Sequence, residues 1–355
     1  MVTASVLHVL NDAFKLTESV LWISGVIGLI YLVRCFKKAS LLHYNLKTIL
    51  INYSIAIAVI GCGRLIMNAD SFALSYGTGL PNPSCRVGFL LGKITFLAAL
   101  LVGISCFFFF TIERTVATFI PKKYEQLKKT GKGAAFFIIY WLTCICASSA
   151  LGLTFYMNSS HCDLQALANS ALFLHANRDF LLCLATLGSF GNAVNVTLLF
   201  SLYKLNQKRR KKVAPCSINT RYQYTENILT MRFLIVVSVL NFFSASVVVI
   251  LLIVHRYARN HELQKDEDIV FTEQYIQVIP AFYVNCYSFV CMRMHRPNKD
   301  QFLRDLRKIP CFRSIAPVPV PRVKAIDGTV LPSTNEGSLY FTYLALQWKV
   351  KAELE

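Results

Sequence analysis

Charged residues are scarce in this sequence, and acidic residues are the scarcest of them. Only 16% of the residues are Asp, Glu, Lys or Arg, whereas 55% are hydrophobic, and 37 Lys and Arg face 19 Asp and Glu. Soluble nucleic-acid-binding proteins rarely combine a net charge of +18 with so apolar a composition, so we expect no nucleic-acid partner. The cations instead indicate basic loops beside anionic lipid.

The motifs of common enzymes are missing as well. The sequence has no Gly-rich phosphate-binding loop and no nucleophile elbow. Its seven histidines fall in loops, tails or near the edges of apolar stretches, so they do not supply the His and acid cluster of an intramembrane metal site. We therefore predict a protein that is not an enzyme and that needs neither a metal nor a cofactor.

Long apolar stretches dominate the chain instead. A helix needs about 20 mostly apolar residues to cross a bilayer, and seven stretches approach or exceed that length. They predict an all-α fold, a seven-transmembrane helix bundle in which the chain passes repeatedly through the plasma membrane. The stretches are Leu16–Val33, Thr48–Ile66, Val87–Ile112, Ala134–Tyr156, Phe180–Tyr203, Phe233–Val254 and Tyr275–Met292.

Lys and Arg concentrate on the first, third and fifth connections and on the C-terminal tail. Because cations near span ends are retained in the cytoplasm, this bias predicts an external N-terminus and a cytoplasmic C-terminus. Residues 1–15 lack the pattern of a cleavable signal peptide, and we expect the first span to act as an uncleaved signal. The predicted segments are a short extracellular tail (1–15), the seven-transmembrane domain (16–294), a juxtamembrane amphipathic helix (295–312) and a largely disordered cytoplasmic tail (313–355).

Three modification sites follow from this topology. Cys85 and Cys162 both fall in exterior loops, where the oxidising compartment permits a disulfide, although two unrelated thiols remain the alternative. Asn158 begins an Asn-Ser-Ser glycosylation signal in an exterior loop. Cys311, beside the juxtamembrane helix, is either a palmitoylation site or an ordinary reduced thiol.

The exterior segments are too small to fold into a separate ligand-binding domain. We therefore expect the bundle to bind a small organic molecule between its helices. The candidate ligand contacts are Lys93, which lies inside the third span, and Asp179, Glu273 and Gln277 near the outer ends of the fifth and seventh spans. The alternative is that Lys93 reaches up to the membrane surface and that the carboxylates stand in water.

The cytoplasmic end of the third span carries an acid beside an arginine, Glu113 and Arg114. Such a pair can form an ion pair that also constrains neighbouring helices. G-protein-coupled receptors carry an Asp/Glu-Arg-Tyr motif at this place, although Thr115 replaces the tyrosine here. A solvated juxtamembrane ion pair would have the same sequence.

A second polar cluster precedes the sixth span. Thr220 and Gln223 have the spacing of a capping box, which predicts a helix from Thr220 that runs without Pro or Gly to Val254. Because that helix exceeds the hydrocarbon thickness, its first turns should project into the cytoplasm beside Arg114. They would either receive a partner protein or lie on the lipid headgroups. The residues of this cluster that we assign to coupling are Arg221, Tyr222, Gln223, Glu226 and Asn227.

Three motifs resemble signatures of nematode serpentine chemoreceptors of the Sra superfamily, most closely the Srab (class alpha/beta) family. They are Glu-Arg-Thr-Val-Ala-Thr at 113–118 with Lys-Tyr-Glu at 123–125, Arg-Tyr-Gln at 221–223 with Glu-Asn at 226–227, and His-Tyr-Asn-Leu-Lys at 43–47. The resemblance covers about residues 15–310. It implies an odorant or pheromone receptor in sensory-neuron membranes, in particular their cilia, that couples to a heterotrimeric G protein.

A ligand-gated channel or transporter subunit with seven spans is the alternative function. The absence of recognisable inverted repeats and the scarcity of paired intramembrane charges count against a transporter. A channel assembled from several chains stays open, and with it homo- or hetero-oligomerisation. The apolar stretch 338–355 has no role in either hypothesis.

Overall fold

The structure is a computed structural model that describes residues 4–38, 43–76, 87–120, 132–158, 174–212, 218–260, 266–294 and 296–308. These residues form helices and contain no strand. Residues 1–299 make one compact unit, and residues 300–355 belong to a second. The helices are α1 (Ala4–Lys38), α2 (Tyr44–Tyr76), α3 (Val87–Phe119), α4 (Lys132–Asn158), α5 (Leu174–Lys212), α6 (Ile218–Asn260), α7 (Asp266–Met294) and α8 (Arg296–Leu306).

Six of the described helices are long and apolar enough to cross a membrane, namely α1, α2, α3, α5, α6 and α7. Helix α4 contributes a shorter apolar segment, Ala135–Leu151. The predicted unbroken helix before and through the sixth span is confirmed, since α6 begins two residues before Thr220 and continues to Asn260. Its 43 residues correspond to about 64 Å, roughly twice the thickness of the hydrocarbon core.

Contacts between helices show that α1 and α2 are antiparallel and that α1 and α7 are parallel. Lys47 Nζ, near the start of α2, donates to the carbonyl of Lys37 at the end of α1. Gln274 and Asn285, in that order along α7, contact Glu18 and Ser24 of α1. Helices α1, α3, α5 and α7 all finish at one end of the bundle. We call it the basic end, because it carries Lys37, Lys38, Arg209, Arg210 and Arg293.

The described helices place apolar side chains outward and several polar side chains inward. Ile139 of α4, Phe190 of α5 and Phe243 of α6 are each more than 60% exposed, whereas Glu18 and Asn206 are fully buried. A bundle surrounded by lipid has this arrangement, because hydrocarbon replaces water as the outer solvent. The core itself joins residues of all seven helices from α1 to α7.

Glycine lets two helices of the core approach closely. A Cβ on Gly63 of α2 would lie 2.8 Å from the carbonyl oxygen of Gly92 in α3, and a Cβ on Gly92 would lie 2.8 Å from that of Gly63. Real Cβ atoms do not approach so closely, so the α2–α3 packing requires glycine at both positions. Small residues at such crossings are typical of helices that associate within membranes.

Candidate functional site

A cavity of about 240 Å³ lies inside the bundle and is lined by residues of α1, α2, α3, α5, α6 and α7. Its wall is mainly apolar, with Trp22, Phe96 and Phe107 among the larger side chains. No Asp, Glu, Lys, Arg or His is among the described residues that line it. The polar side chains of the wall are Tyr53, Ser189, Asn192, Asn241, Ser244, Gln277 and Tyr283.

The structure places one of the four predicted ligand contacts in this wall. Gln277 of α7 lines the cavity. Lys93 is half-buried on α3, one turn before the lining residue Phe96, and is not itself among the described lining residues. Asp179 and Glu273 belong to α5 and α7, and their side chains lie outside the part of the chain that the structure describes.

Two tyrosines of the cavity wall join α2 to α7. The hydroxyls of Tyr53 and Tyr283 are 2.5 Å apart. The hydroxyl of Ser54, the next residue of α2, is 3.3 Å from that of Tyr287, which lies one turn further along α7. The Tyr53 ring also packs edge-on against Phe107 of α3, with ring centroids 4.9 Å apart. Hydrogen bonds and aromatic contacts therefore close the space on this side of the cavity.

The opposite wall is held by amides of α5. Asn192 Nδ2 donates to the carbonyl oxygen of Ser238 in α6 at 3.2 Å. Asn195 Nδ2 donates to the hydroxyl of the same Ser238 at 3.0 Å, while its Oδ1 accepts from the hydroxyl of Thr111 in α3. Helices α3, α5 and α6 are thus connected beside the cavity by buried polar groups.

The basic end brings together the two clusters that the sequence singled out. Glu113 and Arg114 form an ion pair on α3, and both are buried, Arg114 to all but 2%. Arg114 Nη1 also donates to Asn227 Oδ1 of α6 at 3.2 Å. Asn227 Nδ2 in turn donates to the carbonyl oxygen of Ala117 at 3.2 Å. The amide of Asn227 therefore fastens α6 to α3 through both of its polar atoms.

Helix α5 completes this contact region. Asn206 is fully buried, and its Nδ2 donates to the Thr118 hydroxyl of α3 at 2.9 Å. Arg209 donates to the Thr118 carbonyl at 2.7 Å and lies over the ring of Phe119. The ends of α3 and α5 and the beginning of α6 are consequently held in one polar cluster.

His43 precedes α2 at the same end, where its carbonyl accepts the first bond of that helix from the Lys47 amide. Burial lowers the pKa of His43 from its usual 6.5, and the positive charge of Arg114 lowers it too, whereas Glu113 acts in the opposite direction. The imidazole is therefore neutral in the folded protein at a pH where a free histidine would begin to protonate.

A further buried cluster, which the sequence did not predict, lies at the other end of the bundle. Glu18 of α1 accepts hydrogen bonds from Arg64 and Asn68 of α2, Gln274 of α7 and the indole of Trp22. Arg64 lies within a span-length helix and is only 8% exposed. The detectable signal was one acid in the first apolar stretch and one cation in the second.

Most of the remaining predicted residues lie partly or wholly outside the part of the chain that the structure describes. Arg221, Tyr222 and Gln223 lie on α6, and Asn158 is the last residue of α4, but their side chains lie outside the described part. Glu226 is half-buried on α6 beside Asn227. Cys85, Cys162 and Cys311, together with the tail that contains 338–355, also lie outside the described residues.

Comparison with known proteins adds one match. The sequence model of a family described as "Serpentine type 7TM GPCR receptor class ab chemoreceptor" matches residues 2–309, which cover all seven apolar stretches and both ends of the bundle. No curated protein sequence matches the chain.

Proposed function

Because the chain belongs to the class ab family of serpentine seven-transmembrane chemoreceptors, we propose that it detects a small molecule in its internal cavity and signals to a heterotrimeric G protein. The family assignment makes it a multi-pass membrane protein of the G-protein-coupled receptor type. The ligand, the partner and the direction of signalling belong to the proposal.

The cavity supports binding inside the bundle. It is lined by six helices and has a mainly apolar wall with a few polar side chains. Sites for small organic ligands have this composition, since apolar surface supplies affinity and isolated polar groups fix orientation. Gln277 is the predicted contact residue that belongs to this wall. Lys93, Asp179 and Glu273 remain predicted ligand contacts.

The observation that carries the proposal is that α3 and α6 each contribute to both the cavity and the polar cluster at the basic end. Phe107 lines the cavity, and Arg114 lies two turns further along α3. On α6, Asn241 lines the cavity, and Asn227 lies four turns before it. A ligand that shifts α6 against α3 would therefore act on the Arg114–Asn227 contact.

We place the basic end in the cytoplasm, in agreement with the excess of cations on that side. There the first turns of α6, which carry Arg221, Tyr222, Gln223, Glu226 and Asn227, would receive the G protein when they separate from Arg114. The plasma membrane of sensory-neuron cilia is the location that suits an odorant or pheromone receptor with an external N-terminus.

The test is nucleotide exchange on a purified heterotrimeric G protein. The receptor is first screened against volatile and secreted small molecules in a second-messenger reporter cell, and hits are then added to the purified receptor in lipid nanodiscs. Ligand-dependent exchange supports the proposal. A ligand-evoked current in cells without G proteins, together with no exchange, would favour the channel instead.

A further inference from the structure

Asn192 of α5, a residue of the cavity wall, carries a buried hydrogen-bond acceptor, Oδ1, that has no partner among the described residues. Asn192 is only 3% exposed. A buried acceptor without a donor costs free energy, so native structures rarely leave one unsatisfied.

The orientation of this amide follows from its other bond. Asn192 Nδ2 faces the carbonyl oxygen of Ser238 at 3.2 Å, and a carbonyl can only accept. The amide nitrogen must therefore point to Ser238, and the oxygen must be the atom left over. Flipping the amide would place two acceptors against each other and would not satisfy the site.

The rest of the wall restricts the charge of what can bind. None of the described lining residues is Asp, Glu, Lys, Arg or His. An ionised ligand would lose its hydration without meeting an opposite charge, which is strongly unfavourable in an apolar cavity. A neutral ligand with an apolar body loses much less hydration free energy when it enters the cavity.

We propose that the cavity takes a neutral, largely apolar molecule with a hydroxyl or another single hydrogen-bond donor, and that this donor binds Asn192 Oδ1. This assignment rests on the proposed function, because it names the ligand class of the same cavity. A hydroxyl-bearing ligand satisfies the amide oxygen, whereas its ether or carboxylate analogue leaves it without a donor.

The receptor with its native Asn192 tests this with three probes of similar size: 1-octanol, its isomer 1-methoxyheptane, and octanoate. Trp22 lines the cavity, so its fluorescence reports occupancy once the other two of the three tryptophans are replaced, as W141F and W348F. Measured in nanodiscs at matched bilayer concentrations, the alcohol should bind about tenfold more tightly than the ether, and octanoate should not compete.

Two variants locate the effect. Asn192→Leu, of similar size, should bind both neutral probes with one affinity, whereas Thr197→Ala, an exposed position of α5 that is not among the described lining residues, should keep the alcohol preference. Equal affinities in the protein that keeps Asn192, a preference that survives in Asn192→Leu, or binding of octanoate would each overturn the inference. The comparison of the three probes is made on one protein, so it does not depend on whether Asn192→Leu folds.

The result is separable from the proposed signalling. An alcohol preference at Trp22 without any G-protein exchange would leave the ligand class standing and refute the coupling. Nucleotide exchange driven by a ligand without a hydrogen-bond donor would support the coupling and refute the ligand class.

Discussion

Glu18 of α1 and Arg64 of α2 form a two-point ion pair inside the bundle, with Nε to Oε1 at 2.7 Å and Nη2 to Oε2 at 2.9 Å. Asn68 and Gln274 donate to the same carboxylate, so α2 and α7 are both attached to α1 through one acid. Trp22, which also donates to Glu18, lines the cavity. The ion pair therefore fixes one wall of the candidate ligand site.

Removing the acid should destabilise the protein strongly. Glu18→Ala leaves the buried Arg64 guanidinium without its counter-charge, and we expect a loss of about 3–5 kcal/mol, because an unpaired buried charge keeps its full desolvation cost. Thermal unfolding of the purified protein in nanodiscs measures this.

The double variant E18Q/R64M removes both charges and should recover most of the lost stability. Ile27→Ala on the outward face of α1, where Ile27 is 63% exposed, serves as the control and should leave the unfolding temperature nearly unchanged. An unfolding temperature for Glu18→Ala equal to that of this control would show that the pair contributes nothing.

The close approach of α2 and α3 gives a second prediction. Gly63→Ala places a Cβ 2.8 Å from the Gly92 carbonyl oxygen, and the backbones must separate, at a cost of about 1–3 kcal/mol. Gly133→Ala, where no atom lies within 4 Å of the new Cβ, should be neutral or slightly stabilising. The account of the α2–α3 interface fails if the two variants unfold at the same temperature.

Filling the cavity should block ligand binding without unfolding the protein. Gly103 lines the cavity, and a Cβ built there meets nothing within 4 Å. The side chain of Gly103→Leu should occupy the cavity and weaken the Trp22 fluorescence response to 1-octanol by at least about tenfold, a loss of 1.4 kcal/mol or more. Gly133→Leu, outside the cavity, should respond as the wild type does, and a full response in Gly103→Leu would place the binding site elsewhere.

Acid should weaken the fold through His43. Its pKa is lowered in the folded protein, mainly by burial, so below its usual 6.5 the unfolded chain takes up a proton that the folded chain does not. Stability is therefore greatest above that pH and declines as the pH falls towards the folded pKa. His43→Gln should flatten the dependence of the unfolding temperature on pH between about 7 and 5. An unchanged slope would assign the acid sensitivity to other groups.

Periodicity and charge placement in the sequence predicted most of the bundle. Apolar stretches of about 20 residues force helices because backbone groups in lipid must bond within their own segment. The absence of Pro and Gly from 220 to 254 predicted one long helix, which α6 confirms. The sequence placed Glu113, Arg114 and Asn227 at one end of the bundle, and the structure adds the 3.2 Å bond between Arg114 and Asn227.

The cavity and the Glu18 cluster could not be predicted from any single apolar stretch, because each is formed by residues of several helices. Glu18 lies twenty residues before the end of α1 and Arg64 twenty residues after the start of α2, so an antiparallel pair places them at one depth. That relation appears only when two stretches are compared. The unpaired Oδ1 of Asn192 could not be predicted from the sequence either, because its surroundings are set only when α5 packs against α6.

The proposed function requires that the Arg114–Asn227 contact hold the receptor in its inactive arrangement. Its most direct test is the basal nucleotide exchange that Asn227→Ala supports on a purified G protein, compared with Leu229→Ala, a control on the same helix whose side chain is 63% exposed. A hydrogen bond to a buried charge contributes about 1.5 kcal/mol or more, so its loss should raise basal exchange about tenfold. Basal exchange equal to that of Leu229→Ala and the wild type would contradict the claim.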